Sequence, residues 1–295
     1  MGSQYNGGNR LTDGHWWVDD IGGFHSADDV NESFDSLFLR HLGQLKLQIS
    51  PEQIVIIWDI HKITADTICY LIARLSQNHS QSTVLLRYYY YGWAEEQFHG
   101  PDAINNASQR MISIQRFKSV ELVRPTQINE QPLIEVESAS PLITRGLEMW
   151  LNTGGQYLNA SQDESSEHLP NAVIYRPHQQ TGHLVFSWVG SRSLSMKVHG
   201  QQWAARVIKR SSLDAQGCEN QDYVTLINSA YSQVWDTGEP HYSNIRTLLS
   251  LDGQEAQWLS YQRLLLRYNL HDGKPALVCL SAPNRTAIIP HTDAP

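Results

Sequence analysis

Two Asp-Gly dipeptides in the last quarter of the chain constrain its fold most, because each favours a tight turn between two strands. Asp252-Gly253 and Asp272-Gly273 separate three apolar runs, which predict strands at residues 242–249, 257–268 and 276–281. Strands that are joined by such short turns pair with their chain neighbours in antiparallel orientation. The sequence therefore predicts a three-stranded antiparallel meander in this region.

Two earlier strand-like runs and a helical segment precede the meander. Residues 173–176 and 184–190 flank a polar turn that contains a glycine, which predicts a hairpin. The second of these runs alternates large side chains with smaller ones, as a strand with one buried face does. Between the hairpin and the meander, residues 193–207 and 222–235 carry apolar side chains at helical spacing.

This order of two strands, a helical middle and three strands resembles that of a PAS sensor domain. The segment Asp-Thr-Gly-Glu-Pro at residues 236–240 adds to the resemblance, because PAS domains often carry Thr-Gly-Glu-Pro before the third strand. The resemblance covers residues 169–289. It implies an α+β fold with a five-stranded antiparallel sheet and helices on one face, and a function in sensing, signal transduction or regulatory protein–protein interaction rather than catalysis.

In PAS domains the helical middle and the sheet enclose a ligand pocket, and the resemblance points to candidate ligand-binding residues here. These candidates are large aromatic or basic side chains: Trp188, His199, Trp203, Tyr231, Tyr261 and Arg263. Aromatic side chains are also buried for packing alone, so that a core role stays open for each of them.

Arg263 is the most informative of these candidates. Tyr261, Arg263 and Leu265 share one face of a strand, because side chains alternate with period two. If this face is the inner one, the guanidinium needs an acidic partner, a role that an anionic ligand group could fill. If it is the outer face, the guanidinium is solvated or lies in an interface, and the sequence leaves both arrangements open.

The cofactor is unknown from the sequence, although heme and covalently bound flavin are not expected. Flavin photosensors of the PAS class carry a cysteine within Asn-Cys-Arg, whereas Cys218 lies within Gln-Gly-Cys-Glu-Asn. Heme-binding relatives need an axial histidine on a pocket helix. The predicted helix at 222–235 contains none, and His199 on the preceding helix is the one candidate. A small organic ligand, or no ligand, fits these residues better.

The first half of the chain has a different pattern. Residues 1–32 are rich in Gly, Asn and Asp and predict a flexible leader. Within residues 33–140 an amphipathic helix at 33–48 is followed by strands and helices in the order β-α-β-α-β, with strands at 54–58, 83–91 and 120–123. This order predicts a small α/β domain, and its strand–helix–strand portion is faintly similar to a STAS domain.

A connection joins these two predicted domains. Residues 141–157 predict a helix, and the polar, acidic residues 159–167 predict a linker, so that residues 141–167 are a connecting helix and linker. The PAS-like domain is then expected at residues 168–290. The helix also carries Leu142, Leu147, Trp150 and Leu151, which is more apolar surface than one face needs and predicts a homodimer.

The alternative class of function is an enzyme with an active site after the strand 54–58 or in the PAS-like cavity. Asp59 and His61 directly follow that strand, which is where active sites of α/β proteins lie. However, the chain contains no nucleophile elbow, no phosphate-binding Gly-rich loop and no metal-binding histidine pair. The sequence therefore predicts no catalytic residue and no metal ligand, and favours a polar loop in which Thr64 caps the next helix.

Charge and composition limit the partners. The net charge of -8 opposes binding to nucleic acid or to an acidic membrane surface. No run reaches the roughly 18 apolar residues of a membrane span. The N-terminus lacks the features of a signal peptide, and three scattered cysteines do not form a disulfide framework. A cytoplasmic protein is predicted, with a small-molecule ligand and either a second copy of the chain or a signalling protein as partner.

Overall fold

The structure is a computed structural model, and it describes residues 12–27, 35–78, 83–119, 126–158, 169–210, 221–249, 255–270 and 272–284. The chain divides into two compact units. The first unit comprises residues 1–123 and 255–258, and the second comprises residues 124–254 and 259–295. Helices and β-strands occur in both, so the fold class is α+β. None of the described helices is long and apolar enough to cross a membrane.

The first unit contains a mixed sheet with the strand order β2-β1-β3-β4-β5-β6. Its neighbouring strands are antiparallel except for β4 and β5, which are parallel and are joined by helix α2. Parallel strands need such a crossover because a tight turn cannot connect them. In chain order the elements are β1 (Gly14–Val18), β2 (Phe24–Ser26), α1 (Asp35–Arg40), β3 (Leu45–Ile49), β4 (Ile54–Asp59), α2 (Ala65–Asn78), β5 (Thr83–Tyr89), β6 (Trp93–His99) and α3 (Ala103–Gln115).

The start of the first unit differs from the sequence-based prediction. The predicted helix at 33–48 is confirmed only over Asp35–Arg40: the chain then turns at Gly43, whose φ of 66° suits glycine. The following residues form β3, which pairs with both β1 and β4. Within the segment predicted as a flexible leader, residues 14–26 form the hairpin of β1 and β2. The predicted strand at 120–123 lies outside the described residues.

The second unit contains the elements predicted for the PAS-like segment and several that precede it. Helix α5 is kinked at Gly200, which has a φ of 81°. The polar residues 159–167, predicted as a linker, lie outside the described residues. The elements are β7 (Thr126–Gln131), α4 (Pro141–Thr153), β8 (Gln156–Leu158), β9 (Ala172–Pro177), β10 (Leu184–Val189), α5 (Leu194–Arg210), α6 (Gln221–Thr237), β11 (His241–Leu249), β12 (Gln257–Leu270) and β13 (Pro275–Pro283).

The sheet of the second unit has the strand order β10-β9-β13-β12-β11-β7. The hairpin β9–β10, the β9–β13 pair, the β12–β13 pair and the β7–β11 pair are antiparallel. Strand β8 pairs in parallel with the end of β12. The sheet is therefore larger than the five strands predicted for residues 169–289, because β7 and β8 come from the preceding part of the chain.

Side chains of alternate strand positions form two separate cores on the two faces of this sheet. Leu264 and Leu266 of β12 belong to one core, against which α4 packs through Ile143 and Trp150. Leu265, between them, belongs to the other core, together with side chains of α5 and α6. Helices α5 and α6, which belong to residues 169–289, therefore pack on the same face of the sheet, and α4, which precedes these residues, covers the opposite face.

Candidate functional site

A cavity of about 60 Å³ lies in the second unit, between the sheet and the helices α5 and α6. By this measure one water molecule needs about 10–15 Å³, so the cavity has room for several waters or for a small organic molecule. The wall combines aromatic, aliphatic, hydroxyl, thiol, imidazole and guanidinium groups. It is formed by Tyr175, Phe186, Leu194, Ser195, Val198, His199, Trp203, Tyr231, Leu249, Leu259, Tyr261, Arg263, Cys279 and Ser281.

Five of the six residues predicted to bind ligand lie in the wall of this single cavity. They come from three different elements. Helix α5 contributes His199 and Trp203, α6 contributes Tyr231, and β12 contributes Tyr261 and Arg263. The sequence therefore located side chains that the fold brings together from segments more than sixty residues apart.

Trp188 is the predicted residue that does not line the cavity. The register of β10 on β9 shifts between Phe186, which pairs with Tyr175, and Trp188, which pairs with Ile174. This bulge breaks the alternation on which the prediction relied, because an extra residue turns the following side chains to the other face. As a result Val189 is buried, whereas Trp188 is 48% exposed.

Arg263 lies on the inner face of β12 and is 1% exposed. Its guanidinium carbon is 5.5 Å from the centroid of the Tyr231 ring, within the range of a cation–π interaction. Because β12 and β13 are in antiparallel register, Arg263 lies opposite Ser281, and Leu265 lies opposite Cys279. The strands thus place a buried positive charge and a hydroxyl group side by side in the cavity wall.

Stacked and edge-on aromatic rings build one side of the cavity. The rings of His199 and Trp203 are stacked at a centroid distance of 4.6 Å, and Phe186 meets Trp203 edge-on at 5.7 Å. Tyr175 contacts both Phe186, at 4.8 Å, and Tyr231, at 5.0 Å. These contacts join β9, β10, α5 and α6, so that this part of the wall is held by packing from every side.

Several wall residues were not predicted from the sequence. The Tyr231 hydroxyl donates to the Cys279 sulfur at 3.6 Å, and that sulfur is 3.6 Å from the Ser281 oxygen. Burial raises the pKa of Tyr175 and of Tyr231 above the ordinary value, so both phenols stay protonated. The sequence contained a pattern that could have identified Cys279 and Ser281. They share one face of β13 by period two, and the predicted hairpin places that strand beside β12.

The half-buried His199 and the buried His241 both have a pKa below the ordinary value of histidine. Burial lowers the pKa of His199. Burial also lowers the pKa of His241, and the charge of Arg263 lowers it further, whereas the Glu130 carboxylate, 3.4 Å from His241 Nε2, acts in the opposite direction. Both side chains therefore resist protonation more in the folded protein than in the unfolded chain.

We expect the second unit to lose stability as the pH falls below about 6.5, where the unfolded chain begins to protonate these histidines before the folded one does. Above that pH both histidines are neutral in the folded protein and in the unfolded chain, so they do not make the free energy of unfolding depend on pH. Urea unfolding at pH 7.5 and 5.5 measures the loss. His241→Gln should reduce it, whereas His183→Gln, at an exposed position of the hairpin turn, should leave it unchanged. Equal losses in the parent and in His241→Gln would contradict the expectation.

In the first unit, Asp59 and His61 are bound within the loop that follows β4. Oδ1 of Asp59 accepts a hydrogen bond from the backbone N–H of His61 at 2.8 Å, and burial raises the pKa of this carboxyl group. Nδ1 of His61 is 3.2 Å from the Lys118 carbonyl oxygen, and the ring stacks on Tyr90 at 5.5 Å. Both side chains thus have structural contacts that order the loop.

Thr64 begins helix α2 as predicted. Its hydroxyl oxygen accepts a hydrogen bond from the backbone N–H of Thr67 at 3.1 Å, which is the contact that an N-cap makes. The loop from Asp59 to Thr64 therefore serves to end β4 and to begin α2.

Among the described residues, no group of three or more His, Cys, Asp and Glu side chains is arranged to hold a metal ion. Comparison of the chain with models of known protein families, with curated proteins and with solved structures found no match in any of the three.

Proposed function

We propose that the chain is a non-catalytic sensory or signal-transduction protein whose second unit is a PAS-like domain that binds a small ligand. The observation that carries this proposal is the convergence of His199, Trp203, Tyr231, Tyr261 and Arg263 on one cavity. Side chains from two helices and five strands line it. A concave space with a few polar groups among apolar ones is typical of small-molecule sites.

The strand order of the second unit supports the PAS-like assignment. The first hairpin strand, β9, pairs with the last strand, β13, so that the hairpin and the meander join in the order β10-β9-β13-β12-β11. Helices α5 and α6, between the hairpin and the meander in sequence, lie on the cavity face, as the helical middle of a PAS domain does. Helix α4 has the position in sequence of the flanking helix that commonly precedes such a domain.

The chemistry of the cavity supports a binding role rather than a role in packing alone. The wall sets the guanidinium of Arg263 and the hydroxyl groups of Ser195 and Ser281 beside aromatic and aliphatic side chains. A few convergent polar groups among apolar ones are typical of a site that fixes the orientation of a small ligand.

We further propose that the protein is cytoplasmic and acts through a second copy of the chain or a signalling protein, without nucleic acid or membrane. Cys69 and Cys279 are free thiols, as in proteins of reducing compartments. Within α4, Trp150 donates a hydrogen bond to the Arg267 carbonyl oxygen at 2.8 Å and so belongs to the second unit's own packing. Leu151 is 61% exposed and is the apolar side chain of this helix that remains for an interface.

Native mass spectrometry of the purified protein, combined with absorption spectra, tests this proposal. We expect a homodimer that retains a small adduct, which disappears under denaturing conditions. Ser281→Leu, which places a larger side chain in the cavity wall, should remove the adduct, whereas Leu151→Ala should retain it and favour the monomer. An adduct that persists in Ser281→Leu would place the ligand elsewhere. The absence of an adduct, together with no stabilisation by any member of a small-molecule library, would contradict the proposed function.

A further inference from the structure

We infer that residues 194–199, the first segment of helix α5, form a lid that opens the mouth of the cavity by bending at Gly200. The inference rests on the proposed function, since it treats the cavity as the ligand site, but its test needs no ligand. Three features support it: the position of the cavity mouth, the small cluster that holds the lid segment, and the backbone conformation of Gly200.

The mouth of the cavity lies beside the lid segment. Lining residues that are half-buried rather than buried mark the side on which the wall meets solvent. They are Ser195, Val198 and His199 of the lid segment, Leu259 of β12 and Ser281 of β13. The other lining residues are buried. A small molecule therefore enters between the lid segment and one end of the β12–β13 pair.

The two halves of α5 belong to different hydrophobic clusters. After the break in the helix, Trp203 and Val207 are buried in the large core that also contains side chains of α6. Before the break, Leu194 and Val198 pack in a smaller cluster with side chains of β7, β11 and β12, although Met196 also packs against the large core. Less apolar surface holds the lid segment than holds the second half, so the lid segment separates from the sheet at a lower cost.

Gly200 provides the hinge. Its φ of 81° and ψ of 170° lie in a region of backbone conformation that essentially only glycine occupies. Hinges are a few positions of this kind, which absorb a large change in backbone angles. The other end of the lid segment is fixed, because the backbone N–H of Arg192 donates to the Pro170 carbonyl oxygen at 2.7 Å. The edge that moves is therefore the one at Val198 and His199, beside the cavity mouth.

His199 is the side chain that keeps the mouth closed. Its ring stacks on Trp203 across the break, with a centroid distance of 4.6 Å and an interplanar angle of 26°. This contact joins the two halves of α5 in the closed state. Bending at Gly200 separates the two rings and moves His199 away from the half-buried side of the cavity. Removal of this ring should therefore favour the open state.

The thiol of Cys279 reports opening of the lid, because it lines the cavity and is 5% exposed. Cys69 is exposed on α2 and is the reference within the same chain. The full chain is treated at pH 7.5 with methyl methanethiosulfonate, which transfers a methylthio group to a thiol, and peptide mass spectrometry gives the rate at each cysteine. In the parent protein Cys279 should react measurably, but more slowly than Cys69.

Two variants should increase the Cys279 rate and leave the Cys69 rate unchanged. His199→Ala removes the stacked ring and should increase it about fivefold. Gly200→Ala disfavours the closed conformation and should increase it about tenfold. Gly182→Ala is the matched control: it also places alanine at a positive φ, of 72°, and at both glycines no atom lies within 4 Å of the added Cβ. In this control the Cys279 rate should not change.

A second measurement, on the parent protein, separates opening of the lid from unfolding of the chain. A methanethiosulfonate that carries a long polyethylene glycol chain should not pass the open lid, so the ratio of the Cys279 rate to the Cys69 rate should fall by an order of magnitude or more. Equal ratios with the two reagents would show that Cys279 reacts only after global unfolding, and would overturn the lid even if a variant fails to fold.

The variants can also overturn the inference. Unchanged Cys279 rates in His199→Ala and Gly200→Ala, an equal increase in Gly182→Ala, or no reaction of Cys279 in the parent protein would each do so. Such a result would leave the proposed function intact, because a ligand adduct in native mass spectrometry does not depend on how the cavity opens. Conversely, a lid that opens in a protein without any adduct would contradict the proposed function and keep the lid.

Discussion

Replacement of Arg110 by Met should lower the free energy of unfolding of the first unit by about 3–5 kcal/mol, because it would leave a buried carboxylate without its cation. Nε and Nη2 of Arg110 donate to the two carboxylate oxygens of Glu96 at 2.7 and 2.8 Å. The Tyr88 hydroxyl donates to the same carboxylate at 2.6 Å. Burial acts to lower the pKa of Arg110, but the hydrogen bonds and charge of Glu96 outweigh burial and raise it.

Two further variants distinguish the loss of a buried partner from the loss of a positive charge. The double variant Arg110→Met, Glu96→Leu removes both charges and should recover most of the stability. Arg87→Met removes a guanidinium that is 3.5 Å from Glu95 on the surface, and should cost about 1 kcal/mol or less. Hydrogen exchange of α3 and β6 amides, read with urea unfolding, assigns the loss to this unit. A loss below about 1 kcal/mol in Arg110→Met would show that Glu96 is not held as a buried anion.

This ion pair also explains why β6 escaped prediction. The segment Trp93–His99 contains adjacent glutamates and lacks the apolar alternation by which strands are recognised. Glu96 can point inward because Arg110, on a helix later in the chain, compensates its charge. Such a compensation is not visible in a local window of sequence, and no strand was therefore predicted at Trp93–His99.

The strands of the second unit were predictable because their signals are local. The Asp-Gly turns and the period-two alternation mark β11, β12 and β13 without knowledge of their partners. The additional strand β7 and the position of α4 depend on contacts distant in sequence. Strand β7 joins the edge of β11, and α4 packs on the face opposite to the cavity. No short-range pattern specifies either arrangement.

Local sequence patterns also explain which residues of the cavity were predicted correctly. Tyr261 and Arg263 were assigned to one face by alternation, and they line the same wall. Trp188 was assigned by the same rule, and the bulge before it made that assignment wrong. The sequence contains no sign of this bulge, because Ser187 has no conformational requirement that another residue could not meet. Regular strands therefore gave correct placements, and an irregular one did not.

Gly190→Ala should destabilise the second unit by about 2–3 kcal/mol, because the added methyl group would overlap the backbone. A Cβ atom at this position would lie closer than 3.0 Å to the carbonyl oxygens of Leu169 and Pro170. Gly190 itself donates from its N–H to the Ala172 carbonyl oxygen at 2.8 Å, which fixes it against this turn. Backbone cannot rotate away as a side chain can, so the strand end or the turn must shift.

The position of Gly190 connects this substitution to the cavity. The chain leaves β10 at Gly190 and enters α5, whose residues Ser195 and His199 line the cavity. A shift of this junction should move α5 relative to the sheet, and we therefore expect Gly190→Ala to weaken retention of the small adduct in native mass spectrometry as well as to lower Tm. Gly182→Ala is the control at the other end of the hairpin. Its φ of 72° disfavours alanine by about 1 kcal/mol, but no atom lies within 4 Å of the added Cβ. Equal destabilisation by the two substitutions would mean that backbone conformation, rather than steric overlap at Gly190, determines the loss.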